Sequence, residues 1–169
     1  MSSNVDAHVK RGHIISFSLL TVFSCIAWII AAALVSYWNG SSSYPSGSEG
    51  VRIRFLLFVG LWTFIFSLVY IVGFLVAASS FIFSIASHVV FLFITWVFWL
   101  SGTAAFASSL GGSLDCSYYT GPYCTQQNAL EAFGWICFIL TTFMLVGAIM
   151  VGAKSARSGN GFGGSLIQA

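Results

Sequence analysis

The chain has 169 residues, of which 58% are hydrophobic and 6% are charged. A soluble domain carries roughly 25% charged residues, so this chain has too few charges to cover a water-facing surface. Its net charge of +2 is also too small and too scattered for nucleic-acid binding, which needs a clustered basic face. With a mean hydropathy of +0.94, the sequence predicts an integral membrane protein with about four spanning helices.

The first apolar run, residues 14–38, predicts a spanning helix. Lys10 and Arg11 precede the run, and two aromatic residues that favour the headgroup level end it. A secretory signal peptide also begins with basic residues, but its apolar core is usually only ~7 to 15 residues long. We therefore expect residues 14–38 to be a retained anchor that follows a cytosolic segment, residues 1–13.

Two more spans are predicted from the apolar segment that follows a Ser- and Gly-rich loop. A single helix over residues 55–107 would be about 80 Å long, far more than a ~30 Å hydrocarbon core. The segment must therefore fold back once, and the small residues 77–80 are the expected turn. The predicted spans are residues 54–76 and 81–107.

A polar loop at residues 108–128 and a fourth span at residues 129–153 complete the predicted bundle. Residues 154–169 are rich in Gly and Ser and are expected to form a flexible cytosolic tail. Four basic residues flank the two termini and two flank the opposite side, which favours cytosolic termini. The prediction is an all-α bundle of four transmembrane helices with both termini in the cytosol.

Two polar features agree with this orientation. Cys116 and Cys124 lie in the loop between the third and fourth spans, where an oxidising exterior would join them. Asn39 begins a glycosylation sequon in the first loop, on the same side of the membrane. We expect Cys116 and Cys124 to form a structural disulfide that holds the third and fourth spans together, and Asn39 is a candidate glycosylation site.

A redox function for the cysteines is the alternative. Quinone-linked enzymes that make disulfides pass electrons between cysteine pairs, which normally include a Cys-x-x-Cys motif. The sequence contains no such motif, and it has no phosphate-binding loop, nucleophile elbow or zinc signature. Its extramembrane segments are also too short for a catalytic domain. We predict a protein that is not an enzyme and needs no cofactor or metal.

Glu131 lies about one turn inside the fourth span, where a charge needs an explanation. Asn128 precedes it by three residues, a spacing typical of a helix N-cap with a carboxylate that reaches back. Arg52 and Arg54 enter the second span at the same level and are candidates for an interhelical ion pair with Glu131. The alternative is a small transporter or channel that uses Glu131, although the other intramembrane polar residues do not define a path.

His88, Trp96 and Trp99 are candidate lipid-contact residues in the third span. The two tryptophans share a helix face, which suits interhelical packing or contact with a flat sterol. A lone histidine near a helix end more often donates one interhelical hydrogen bond than binds a metal. Small residues at four-residue spacing, such as Ala148 and Gly152, permit close helix contact within the chain or between copies.

From Arg52 onward the sequence resembles the fungal MARVEL-domain membrane proteins. The resemblance rests on the basic start of the second span, the aromatic run of residues 95–102, the cysteine pair and the Ala- and Phe-containing run of residues 129–135. It implies a four-helix protein that organises sterol- or sphingolipid-rich plasma-membrane domains or acts in vesicle trafficking. Membrane lipids are then the expected partners, and a homo-oligomer or a larger membrane complex is the expected assembly.

Overall fold

The computed structural model describes residues 2–41, 47–76, 85–118 and 121–157. Over these residues the chain forms four α-helices and no strand. The helices are α1 (Ser2–Ser41), α2 (Gly47–Val76), α3 (Ile85–Leu110) and α4 (Cys124–Arg157). The predicted turn at residues 77–80 and most of the predicted tail lie outside the described residues.

Each helix contains a segment long and apolar enough to cross a bilayer. The segments are Arg11–Gly40, Gly47–Gly73, Ile85–Leu110 and Cys124–Arg157. Even the shortest helix, α3, has 26 residues and is about 39 Å long, which exceeds a ~30 Å hydrocarbon core. The predicted all-α fold with four spanning helices is therefore confirmed.

Three of the four helices begin well before the apolar runs that predicted them. α1 begins at Ser2, α2 at Gly47 and α4 at Cys124. Hydrophobicity marks only the part of a helix that lies in hydrocarbon, whereas intrahelical hydrogen bonds continue through polar end turns. The polar loops are therefore shorter than their composition suggests.

The helices form a four-membered ring in which α1 and α3 each pack against both α2 and α4. The pairs α1/α3 and α2/α4 consequently lie diagonally across the bundle. We call the end where α1 begins and α4 ends the terminal end, and the opposite end the disulfide end. The disulfide end holds the start of α2, the end of α3 and the loop that joins α3 to α4.

The outer surface of the bundle is apolar, and many polar side chains lie inside. Ile29 of α1, Val72 of α2, Phe93 of α3 and Phe143 of α4 are each more than half exposed. The buried polar side chains are Ser24, Thr63, Ser67, His88, Thr95, Thr103, Gln127, Thr141 and Ser155. So much exposed apolar surface is unusual for a soluble monomer and matches a hydrocarbon surrounding.

Glycines allow three neighbouring helix pairs to approach closely. A Cβ atom added at Gly60 of α2 would lie 3.0 Å from Trp28 Cβ and 3.1 Å from Trp28 backbone atoms in α1. One added at Gly102 of α3 would lie 3.0 Å from side chains of α2. One added at Gly134 of α4 would lie 2.5 Å from Thr103 Oγ1 in α3. At each position an added Cβ atom would be in tighter than ordinary contact, so neighbouring atoms would have to shift to admit it.

Gly60→Ala should lower the free energy of unfolding by about 1 to 3 kcal/mol, because the Trp28 backbone yields only if α1 moves. The matched control is Gly147→Ala in α4, where an added Cβ meets nothing within 4 Å. Thermal unfolding of the purified protein in a mild detergent compares the two variants. Equal melting temperatures for both would contradict the close contact of α1 with α2.

Candidate functional site

A disulfide holds the loop between α3 and α4. Cys116 and Cys124 are joined, with an S–S distance of 1.98 Å and a Cα–Cα distance of 5.7 Å. Gly111 and Gly112 adopt positive φ angles of 74° and 100°, a conformation that ends α3 at little steric cost. After the loop, α4 begins at Cys124 itself. The predicted cysteine pairing is therefore present at the disulfide end of the bundle.

Asn128 does not cap α4, contrary to the prediction. The helix begins at Cys124, so Asn128 already lies inside it. Its side chain accepts a hydrogen bond from Leu114 N at 2.8 Å and donates one to Leu114 O at 2.7 Å. Asn128 therefore holds the disulfide loop against the first turns of α4. The N-cap prediction is wrong because the helix starts before the change from polar to apolar sequence.

The predicted ion pair between Glu131 and an arginine of α2 is not formed among the described residues. Arg52 Nη1 donates to Ala105 O at 2.7 Å, and Arg54 Nη2 donates to Asn39 Oδ1 at 3.0 Å. These partners belong to α3 and α1, the two helices that pack against α2. Because α4 lies diagonally opposite α2, the arginines bind the nearer helices instead.

Asn39, the candidate glycosylation site, lies in the last turn of α1 and not in a loop. Its side chain is exposed, and its Oδ1 atom is engaged by Arg54. The bond ties the end of α1 to the start of α2. Glycosylation of Asn39 stays a prediction.

Glu131 faces a partly polar interior. Its Oε1 atom accepts a hydrogen bond of 3.4 Å from Trp135 Nε1 on the next turn. Within the described part of the chain, the buried Oε2 atom has no hydrogen-bond partner, and neither do the two amide atoms of Gln127 one turn earlier. Gln127 is 1% exposed. Buried polar atoms of this kind are costly and usually hold water or an ion.

Tryptophan side chains link the helices through hydrogen bonds to threonines. The three bonds are Trp62 Nε1 to Thr95 Oγ1 at 3.3 Å, Trp99 Nε1 to Thr63 Oγ1 at 3.1 Å and Trp96 Nε1 to Thr142 Oγ1 at 2.9 Å. The first two join α2 with α3, and the third joins α3 with α4. An indole N–H in hydrocarbon has no water to bind, so a hydroxyl of a neighbouring helix satisfies it.

His88 and Trp99 are buried and do not lie on the outer surface of the bundle, contrary to the prediction. Their side chains are 1% and 0% exposed, and both point into the bundle. Trp96 is half-buried, and its ring centroid lies 5.7 Å from that of Phe138. Helical spacing identifies residues that share a face, but the neighbouring helices determine whether that face meets lipid or protein.

His88 forms a pair with His13 at the terminal end of the bundle. Their Nε2 atoms lie 3.0 Å apart, so one imidazole donates and the other accepts. The bond joins α1 to α3 across the diagonal of the bundle. Sequence reasoning missed it because the two residues are 75 positions apart. One sequence feature could have indicated the pair. His13 lies near the start of the first span and His88 near the start of the third, and those two starts lie on the same side of the membrane.

Aromatic residues enclose the histidine pair. The Phe17 ring centroid lies 4.5 Å from that of His13, and the Tyr70 centroid lies 4.5 Å from that of His88. The Tyr70 hydroxyl is 2.6 Å from Ser87 Oγ, which joins α2 to α3 beside the pair. The histidines thus belong to a packed interhelical cluster.

A cavity of about 270 Å³ lies against this cluster, between α1, α3 and α4. His13 and His88 line it together with apolar residues, among them Leu140 and Phe143 of α4. Phe143 is 73% exposed, so the cavity is a groove that opens on the outer surface of the bundle. Its volume is close to the ~300 Å³ lower limit of ordinary ligand pockets.

Four apolar helices, an apolar exterior and a polar interior define an integral, multi-pass membrane protein. The chain belongs to the MARVEL family: the family profile, described as a membrane-associating domain, matches residues 9–160. The match confirms the MARVEL resemblance and extends it through the first span. Comparisons with curated proteins and with solved structures gave no match.

Replacing His13 and His88 by Phe, singly and together, should reveal a coupling energy of about 1 kcal/mol, because either single change already removes their shared hydrogen bond. Unfolding of the four proteins by denaturant in detergent gives the double-mutant cycle. Ser101→Ala, on the exposed side of α3, is the control and should add to His13→Phe within about 0.5 kcal/mol. Strict additivity of the two histidine variants would contradict the pairing.

Proposed function

We propose that this protein is a non-enzymatic organiser of membrane domains, which acts as a scaffold for lipids or partner proteins within the bilayer. The observation that best supports this proposal is the apolar outer surface of the bundle, which is interrupted by a groove that opens on that surface. Between residues 2 and 157, the described segments outside the helices are too short to form a catalytic domain. The membrane-associating character of the family supports this proposal.

The plasma membrane and its sterol- or sphingolipid-rich domains are the proposed location, and the resemblance to fungal MARVEL proteins supports it. We propose that the terminal end faces the cytosol. Arg11, Lys154 and Arg157 lie at that end, and the Cys116–Cys124 disulfide lies at the other, which agrees with the positive-inside rule and with an oxidising exterior. A homo-oligomer or a larger complex is the proposed assembly, since the exposed apolar faces can meet other helices as well as lipid.

The organiser role predicts that the labelled protein concentrates in one lipid phase. Giant vesicles of phosphatidylcholine, sphingomyelin and a sterol separate into ordered and disordered phases, and fluorescence microscopy measures the distribution. We expect severalfold enrichment in the ordered phase together with stepwise photobleaching of oligomers, because a scaffold must gather lipid or copies of itself. Vesicles without sterol, which form one phase, are the control. A monomer confined to the disordered phase would refute the proposal.

A small transporter or channel that uses Glu131 is the second candidate. The observation in its favour is that half-buried Glu131 and buried Gln127 lie one turn apart on α4, and that Glu131 Oε2 and both Gln127 amide atoms lack hydrogen-bond partners in the described structure. A coupled ion or water would satisfy them.

Transport predicts an ion or proton flux into proteoliposomes that Glu131→Gln abolishes without changing assembly. Dye-loaded vesicles measure the flux, and gel filtration measures the assembly. Asp115→Asn, in the exposed disulfide loop, removes the same charge and serves as the control. Wild-type vesicles with no flux would exclude transport and leave the scaffold.

A further inference from the structure

The groove lined by α1, α3 and α4 is about as long as the hydrocarbon part of one membrane leaflet. Along α4 it extends from Leu140 to Val151, which corresponds to about 16 Å of helix. Half of a ~30 Å hydrocarbon core is about 15 Å. Gly12 of α1 lines the groove as well and lies at its terminal end. The groove therefore runs from near the terminal end of the bundle to about the middle of α4.

The volume of the groove limits what it can hold. At about 270 Å³ it is too small for a whole phospholipid, and its walls are mainly apolar side chains such as Leu92, Leu140 and Met144. Its polar groups are Ser16, His13 and His88. Ser16 and His13 lie within about one turn of Gly12, and His88 is hydrogen-bonded to His13, so all three lie toward the terminal end of the groove. One acyl chain with its ester group suits this distribution.

Two glycines leave the space open. A Cβ atom added at Gly12 or Gly147 would meet nothing within 4 Å. Gly147 also lines the groove, so a side chain that begins there has room for its Cβ atom beside the groove. This sets these glycines apart from Gly60, Gly102 and Gly134, where neighbouring helices fill the space.

Positive charge surrounds the end of the groove at the membrane surface. Arg11 directly precedes Gly12, and Lys154 lies two turns beyond Gly147 on the same face of α4; both side chains are exposed. The described acidic side chains, Glu49, Asp115 and Glu131, all lie at the disulfide end. In the sequence, the segments near the two termini contain four basic residues and one acidic residue, Asp6. An anionic headgroup is the complementary partner.

We propose that the groove binds one acyl chain of an anionic glycerophospholipid, with the headgroup held at Arg11 and Lys154. The inference rests on the proposed organiser role for its biological meaning, since it names the lipid class that the scaffold would gather. The lipid comes from the leaflet at the terminal end of the bundle. A sterol is the competing occupant, but its rigid ring system needs a wider slot than one chain does.

The test uses the full-length protein in nanodiscs with a photoactivatable phosphatidylserine that carries a diazirine on one acyl chain. Mass spectrometry locates the labelled residues after illumination. We expect labelling concentrated on residues 12–17 and 140–151 and competed by unlabelled phosphatidylserine more strongly than by phosphatidylcholine. Even labelling of all exposed helix faces, or labelling of the groove by a diazirine sterol but not by the phospholipid, would overturn the proposal.

Two sets of variants separate the chain site from the headgroup site. Gly147→Leu should reduce groove labelling severalfold, whereas Ala104→Leu, on the exposed face of α3, should not. Arg11→Gln and Lys154→Gln should each lower the preference for phosphatidylserine about fivefold while the acyl chain still labels the groove. Arg157→Gln removes a charge farther from the groove and is the control. Unchanged melting temperatures show that the variants fold.

Groove labelling tests the lipid site and phase preference tests the organiser role, so the two proposals can fail separately. If groove labelling persists while the protein shows no phase preference, the lipid site stands without an organising function. If phase enrichment persists while Gly147→Leu leaves the labelling unchanged, the organiser stands and this lipid site is refuted.

Discussion

The bundle depends on one constraint: a polar group inside hydrocarbon has no water to bind, so leaving it without a partner in the protein is costly. Thr63 Oγ1 and Thr141 Oγ1 donate to carbonyls of their own helices at 2.8 Å, which leaves their oxygens able to accept. The Thr63 hydroxyl accepts the Trp99 indole N–H in this way. Polar contacts between helices therefore fix which faces meet, and apolar side chains are left to face the lipid.

Glycine serves two opposite purposes in this fold. Gly60, Gly102 and Gly134 lie where a neighbouring helix approaches so closely that an added Cβ atom would force neighbouring atoms to shift. Gly12 and Gly147 lie where no neighbouring atom fills the space, and a groove forms between α1 and α4. The residue type is the same, and only the position of the adjacent helix distinguishes a tight contact from an opening.

The two ends of the bundle differ in chemistry. The disulfide end contains the Cys116–Cys124 bond, which joins the loop to the start of α4, and the described acidic side chains. The terminal end carries the histidine pair, the open groove and exposed Arg11 and Lys154. The proposed lipid site uses this difference, because the groove and the exposed basic side chains lie at the same end of the bundle.

The sequence by itself determined the four spanning helices, the cysteine pair and the MARVEL membership, because hydrophobicity and short motifs are local properties of the chain. Only the tertiary structure decided that Trp99 and His88 are buried, that Arg52 binds Ala105 instead of Glu131, and that His13 meets His88. Each of these depends on which helices are adjacent and how each is rotated. In a chain whose helices are apolar on nearly every face, the sequence pattern does not encode that rotation, and it is set by contacts between residues far apart in the sequence.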